Sequence, residues 1–139
     1  MSTLDKVRRD DARPSTRQGG EIRILLSPIT ARATAGFLGT LDLAPGDHVS
    51  GHYHPYSDEF VYVVRGTLAI DTGEQKLDVA ENEAVMVPRN TPHRYTNDGE
   101  EPVFVVFAIG PLAPSPELGH VATEPVPHPD GPPPTVGGT

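Results

Sequence analysis

Cysteine is absent from the 139-residue chain. No disulfide, thiolate zinc site or cysteine nucleophile is therefore possible, which fits a reducing compartment. No stretch approaches the length of apolar sequence that a membrane span needs. The N-terminus, Met1-Ser-Thr-Leu-Asp-Lys-Val-Arg-Arg-Asp-Asp11, carries charges where a signal peptide requires an apolar centre. A soluble, cytoplasmic protein is expected. Positive charge is also scarce: 11 Lys and Arg stand against 19 Asp and Glu, a formal net charge of -8. Nucleic acid and anionic membrane surfaces are recognised by clustered Lys and Arg, so neither is an expected partner. The basic residues between Lys6 and Arg9, with Arg13 and Arg17, read as a solvated arm. Helical periodicity and repeats of solenoid length are missing as well.

What remains is a succession of short strands. They are predicted at 21–26, 37–43, 48–54, 59–64, 67–71, 75–79, 84–87, 93–96 and 103–109, with Gly, Pro, Asn and Asp between them. This length supports one domain. It divides into a flexible polar N-terminal arm (1–19), an all-β barrel or sandwich (20–112) and an extended Pro-rich C-terminal tail (113–139).

Two segments carry the chemistry. The first runs from Gly46 to Gly66 and reads G-x5-H-x-H-x4-E-x6-G through His52, His54 and Glu59; the second, Pro88 to Asn97, reads P-x-N-x2-H-x3-N through His93. Residues two apart on a strand share a face, so His52 and His54 present their imidazoles side by side. The turn-forming Pro55-Tyr-Ser-Asp58 reverses the chain and returns Glu59 beside them. His93 follows the apolar run Ala84-Val-Met-Val87 and a second turn, where a further strand delivers a third imidazole. Three imidazoles and a carboxylate suit zinc, iron, nickel, copper or manganese better than calcium or magnesium.

These paired motifs resemble the signature of the cupin family, whose architecture is a double-stranded β-helix, or jelly roll. Asn82 and Asn90 stand where the second motif normally has glycine. Asparagine tolerates left-handed backbone angles, so both turns are expected to survive. With Ile24-Leu-Leu-Ser-Pro28 upstream and Ala113-Pro-Ser-Pro-Glu-Leu-Gly-His120 downstream, residues 19–124 resemble the small single-domain cupins of bacterial aromatic polyketide pathways, those similar to the tetracenomycin and resistomycin cyclases. That resemblance implies a metal-dependent cyclase, with zinc sufficient, which directs aldol cyclisation and aromatisation of a poly-β-ketone and can work beside other enzymes of its pathway. Cupins also include quercetinase-like dioxygenases, sugar-nucleotide isomerases and non-catalytic ligand-binding proteins, and the same ligand set serves the dioxygenases.

Beyond the ligands, Tyr95 shares the parity of His93 and is a candidate cavity residue. Arg65 shares that of Glu59 and is a candidate for orienting a substrate oxygen. His48 has the parity of His52 and His54, but four residues of strand span about 13 Å, so it joins them only through a bulge, for which Gly51 is suited. His120 and His128 read as surface residues of the tail. With Glu59 facing inward, Val61 and Val63 do so too and are expected, with Val85 and Val87, to line the cavity. Phe60, Tyr62 and Val64 then form an outer apolar face that needs cover, most simply from a second copy in a two-fold homodimer and otherwise from this chain's own N-terminal or C-terminal arm.

Overall fold

The computed structural model describes residues 3–136; residues 1–2 of the arm and 137–139 of the tail lie outside the described residues. Among the described residues, ten strands make two five-stranded antiparallel sheets. In chain order they are β1 (Glu21–Leu26), β2 (Phe37–Leu43), β3 (His48–Tyr53), β4 (Asp58–Arg65), β5 (Leu68–Asp71), β6 (Lys76–Val79), β7 (Ala84–Val87), β8 (His93–Thr96), β9 (Val103–Gly110) and β10 (Val121–Ala122). One sheet runs β1-β2-β9-β4-β7 and the other β10-β3-β8-β5-β6. The all-β jelly roll expected from the motifs is the fold observed.

The alternation along β4 shows why these residues form a half-buried strand. Val61 and Val63 are 2% and 0% exposed, whereas Phe60, Tyr62 and Val64 are 52%, 42% and 42% exposed. The inner valines join Leu41, Leu43, Leu68, Val103 and Val105 in the aliphatic core between the sheets. Arg65 breaks the parity. Pairing shifts between Val63 and Arg65 against β9, so the expected inward arginine is exposed at the strand end. In β3, where Gly51 is suited to a bulge, the register against β8 does shift between Val49 and His52. Asn82 and Asn90 adopt φ of 66° and 65°, the left-handed conformation that their turns require.

Besides two short 3-10 turns, at Arg9–Asp11 and Pro116–Gly119, two elements escaped the sequence reading. A four-residue helix, α1 (Pro28–Ala31), follows β1; Ser27 caps it by accepting from the Ile29 and Thr30 amides, and Pro28 occupies the first turn. The second is β10, which pairs Val121 with Tyr53 and Ala122 with His52. The arm at Ser15–Gln18 and the tail at Val121–Ala122 lie against the barrel. Gln18 accepts from the Ser50 amide, and the Arg17 guanidinium donates to the carbonyls of Pro129 and Gly131, which ties arm to tail.

Candidate metal centre

Ligand atoms of His52, His54, Glu59 and His93 all lie within 4.8 Å of one another, and all four residues are buried. Strand pairing explains the convergence. His52 on β3 is directly opposite His93 on β8, and His54 lies just beyond the end of β3. Glu59 comes from the facing sheet, where β4 pairs it with Val87 and Ile109. The Asn90 amide donates to the His54 carbonyl at 2.9 Å, so the turn before His93 is pinned to the other ligand loop.

Each imidazole is oriented through Nδ1. His52 Nδ1 lies 2.8 Å from Ser50 O, His93 Nδ1 2.9 Å from Thr91 O, and His54 Nδ1 2.9 Å from Gly119 O. A carbonyl accepts only, so Nδ1 carries the proton; the Nε2 lone pairs of His52 and His93 are left for a ligand, whereas His54 Nε2 offers its own once it gives up the proton it shares with Glu59. His93 Nε2 is buried without a hydrogen-bond partner, 3.9 Å from Glu59 Oε2. His54 Nε2 is 3.1 Å from Glu59 Oε1, and the Tyr95 hydroxyl donates to Glu59 Oε2. Anchored Nδ1 atoms, convergent Nε2 atoms and one carboxylate form a donor set that suits a divalent metal.

Burial, reinforced by the neighbouring imidazoles, pushes His52 down to about 3. Burial also dominates for His93, which is lowered. Both rings are therefore neutral near pH 7 and present lone pairs without first losing a proton. His54 goes the other way. Burial opposes its charge, but the hydrogen bond and charge of Glu59 prevail and raise it. For Glu59, burial favours the neutral acid, yet the bond from His54 and the imidazole charges hold the carboxyl below its usual value.

The cluster opens on a cavity of about 510 Å3. Its wall is mostly apolar, with Ile24, Leu41, Phe107 and Ile109 from β1, β2 and β9, Leu112 just after β9 and Val126 from the tail; His52, His54, Glu59 and Tyr95 supply its polar end. This corrects one expectation. Val61 and Val63 are packed in the core, and neither they nor Val85 and Val87 line this cavity. Parity gave the side of β4 that faces inward but not how far along the barrel the hollow extends.

The other candidates separate. Tyr95 reaches the cluster and bonds Glu59. His48 does not; it lies with His128 on a second cavity, of about 440 Å3, beside Asp42 and Asp47. Arg65 lies at the opposite end of β4 from the cavity. His120, expected at the surface, instead lines the cavity and stacks on His52, with ring centroids 4.4 Å apart and planes inclined by 24°. No local signal marks this, because the contact depends on where the tail folds back.

Residues 39–109 match the cupin domain family. The chain belongs to that family. This cupin is 49% identical over 138 residues to the tetracenomycin polyketide synthase protein TcmJ of Streptomyces glaucescens, an alignment covering 99% of this chain and 93% of the relative. It is 46% identical over 111 residues to the polyketide synthase CurC of Streptomyces cyaneus, covering 80% and 72% respectively. Among solved structures, the polyketide cyclase RemF from Streptomyces resistomycificus superposes with a TM-score of 0.71 at 17% identity, covering 91% of this chain and 90% of that one. A Bacillus subtilis oxalate decarboxylase matches with the same TM-score of 0.71 at 18% identity, over 84% of this chain and 31% of its own. The two structural likenesses concern the fold. Among the described residues, no helix is long and apolar enough to cross a membrane.

Proposed function

We propose that this cupin is a metal-dependent polyketide cyclase, which folds a poly-β-ketone and directs its aldol cyclisation and aromatisation. The observation that carries the reading is a four-donor cluster at the polar end of an apolar cavity. Near-full-length identity to a polyketide synthase protein supports the substrate class. His52, His54, Glu59 and His93 would hold the ion, which when bound supplies Lewis acidity toward a ketone oxygen and a water of lowered pKa, with zinc sufficient because an aldol condensation needs no redox change.

The rest is done by the chain itself. Leu41, Phe107 and Ile109 pack along the carbon skeleton and exclude water, which favours a folded conformer and protects reactive ketones. Tyr95 holds its proton against Glu59 Oε2 and so fixes the carboxylate's orientation at the cavity wall. Glu59 and Tyr95 are thereby the pair placed to handle protons next to bound substrate. His48 and Arg65, both remote from this wall, have no role in the scheme.

We also read the outer face of β4 and β7 as the contact surface of a homodimer. Phe60, Tyr62, Val64 and Met86 are all more than 40% exposed there, and Tyr62→Glu should leave monomers in sedimentation.

Zinc-loaded protein should convert a poly-β-ketone to cyclised product under strict anaerobiosis. Turnover that requires oxygen and a redox-active metal would overturn the cyclase reading in favour of a dioxygenase.

A further inference from the structure

We propose that the Gly119–Glu124 segment of the C-terminal tail is the outer support of the metal centre, and that Glu124 is a positioning residue that clasps it in place. The proposal rests on reading His52, His54, Glu59 and His93 as metal ligands.

The three imidazoles are not anchored alike. His52 and His93 each bond a carbonyl two residues back on their own segment, Ser50 and Thr91, so any chain that forms β3 and β8 positions those acceptors. His54 depends on Gly119, 65 residues away in the tail. The next residue, His120, covers the face of His52. Consecutive tail residues thus set the orientation of two of the three rings.

His120 supports the site without joining it. An imidazole lone pair lies in the plane of its ring, so two rings stacked face to face aim their Nε2 atoms along separate, nearly parallel planes. One ion cannot meet both. His120 is accordingly absent from the group of mutually close donors, although its Nε2 is buried and unpartnered.

What keeps Gly119 and His120 there is a short seam. β10 contributes only two residues, paired with Tyr53 and His52, and Thr123 adds one bond from its amide to Gly51 O at 2.9 Å. Glu124 finishes the seam. Its Oε1 accepts from the Gly51 amide at 2.8 Å and from Arg94 Nε at 3.0 Å, which joins the tail to β3 and β8 together. Gly51 also gives the tail its seat, since a Cβ there would lie 2.7 Å from Thr123 Oγ1. Glu124 bonds none of the ligands and does not line the cavity, so it acts on metal binding through the segments it joins, Gly119 and His120 in the tail and the strands that carry His52 and His93.

The test measures zinc affinity of the full chain by chelator competition, and coordination by the visible spectrum of the cobalt-loaded protein. Glu124→Ala should bind zinc about tenfold more weakly, the lower end of what outer-shell substitutions cost, and shift the cobalt bands. Glu124→Gln keeps an acceptor for the Gly51 amide and should recover most of both. Arg94→Gln, which removes one partner of Glu124, should fall between them. Unchanged affinity and spectrum in all three variants would overturn the clasp while leaving the ligand assignment intact. A wild type that binds no ion would instead overturn the ligand assignment, and this proposal with it.

Discussion

The two ends of the barrel are built from the same two sheets, yet one is filled with aliphatic side chains and the other is hollow, with a buried polar cluster in an otherwise apolar wall. At the filled end Leu43, Val63, Leu68, Val103 and Val105 are each at most 1% exposed. At the hollow end the same sheets bury His52, His54, Glu59 and His93, and the cavity opens beside them. Aliphatic burial stabilises in proportion to area and asks for no partner, whereas each buried imidazole or carboxylate destabilises unless its polar atoms are bonded. The filled end therefore carries most of the fold's stability. The hollow end uses part of it to hold four ionisable groups in one place.

The sharpest way to break this comparison is His52→Ala combined with His54→Ala. The wild type should carry about one divalent ion per chain, counted by elemental analysis, and the double variant none, with its sheet circular dichroism unchanged. Full metal occupancy in that variant would refute the ligand set. The reciprocal change, Leu43→Ala at the filled end, should lower unfolding free energy by about 2–5 kcal/mol and leave metal content unaltered. A smaller effect is expected from Tyr95→Phe, which strips the hydroxyl from Glu59. Loss of a hydrogen bond to a charged group costs about 1.5 kcal/mol, so the cyclisation rate should fall roughly tenfold while zinc stays bound.

The smallest effect is a pH dependence of the tail clasp. The Glu124 carboxyl lies below its ordinary 4.5, chiefly because the Gly51 amide bonds its charged form and secondly through Arg94. A depressed folded-state value means that the contribution is complete above 4.5 and is lost as pH falls through the folded value. The difference in melting temperature between metal-free wild type and Glu124→Gln should therefore be full at neutral pH and close only as the solution is acidified below 4.5.

The same contrast shows what was legible in the sequence. Strand periodicity and fixed motif offsets are local, so β1 to β9, the four clustered donors and the left-handed Asn82 and Asn90 could be read directly. Arg65 was misplaced because a bulge after Val63 interrupts the alternation on which the reading relied. The tail was opaque for a different reason. Its proline content rules out long helices and strands but says nothing about where an extended chain lies. The Gly119–His54 bond and the His120–His52 stack join segments more than 60 residues apart and leave no periodic trace. The cavity wall was misassigned for a related reason: its lining comes from β1, β2, β9 and the tail, and depends on how deeply the two sheets are filled.

The central claim, that metal held by this cluster is required for cyclisation, is tested most directly by one reconstitution. Poly-β-ketone cyclisation is followed with purified protein as isolated, after exhaustive chelation, and after one equivalent of zinc is returned. The account predicts that chelation abolishes formation of the cyclised product and that zinc restores it without added oxygen. Chelated, metal-free protein that cyclises at the original rate would contradict it.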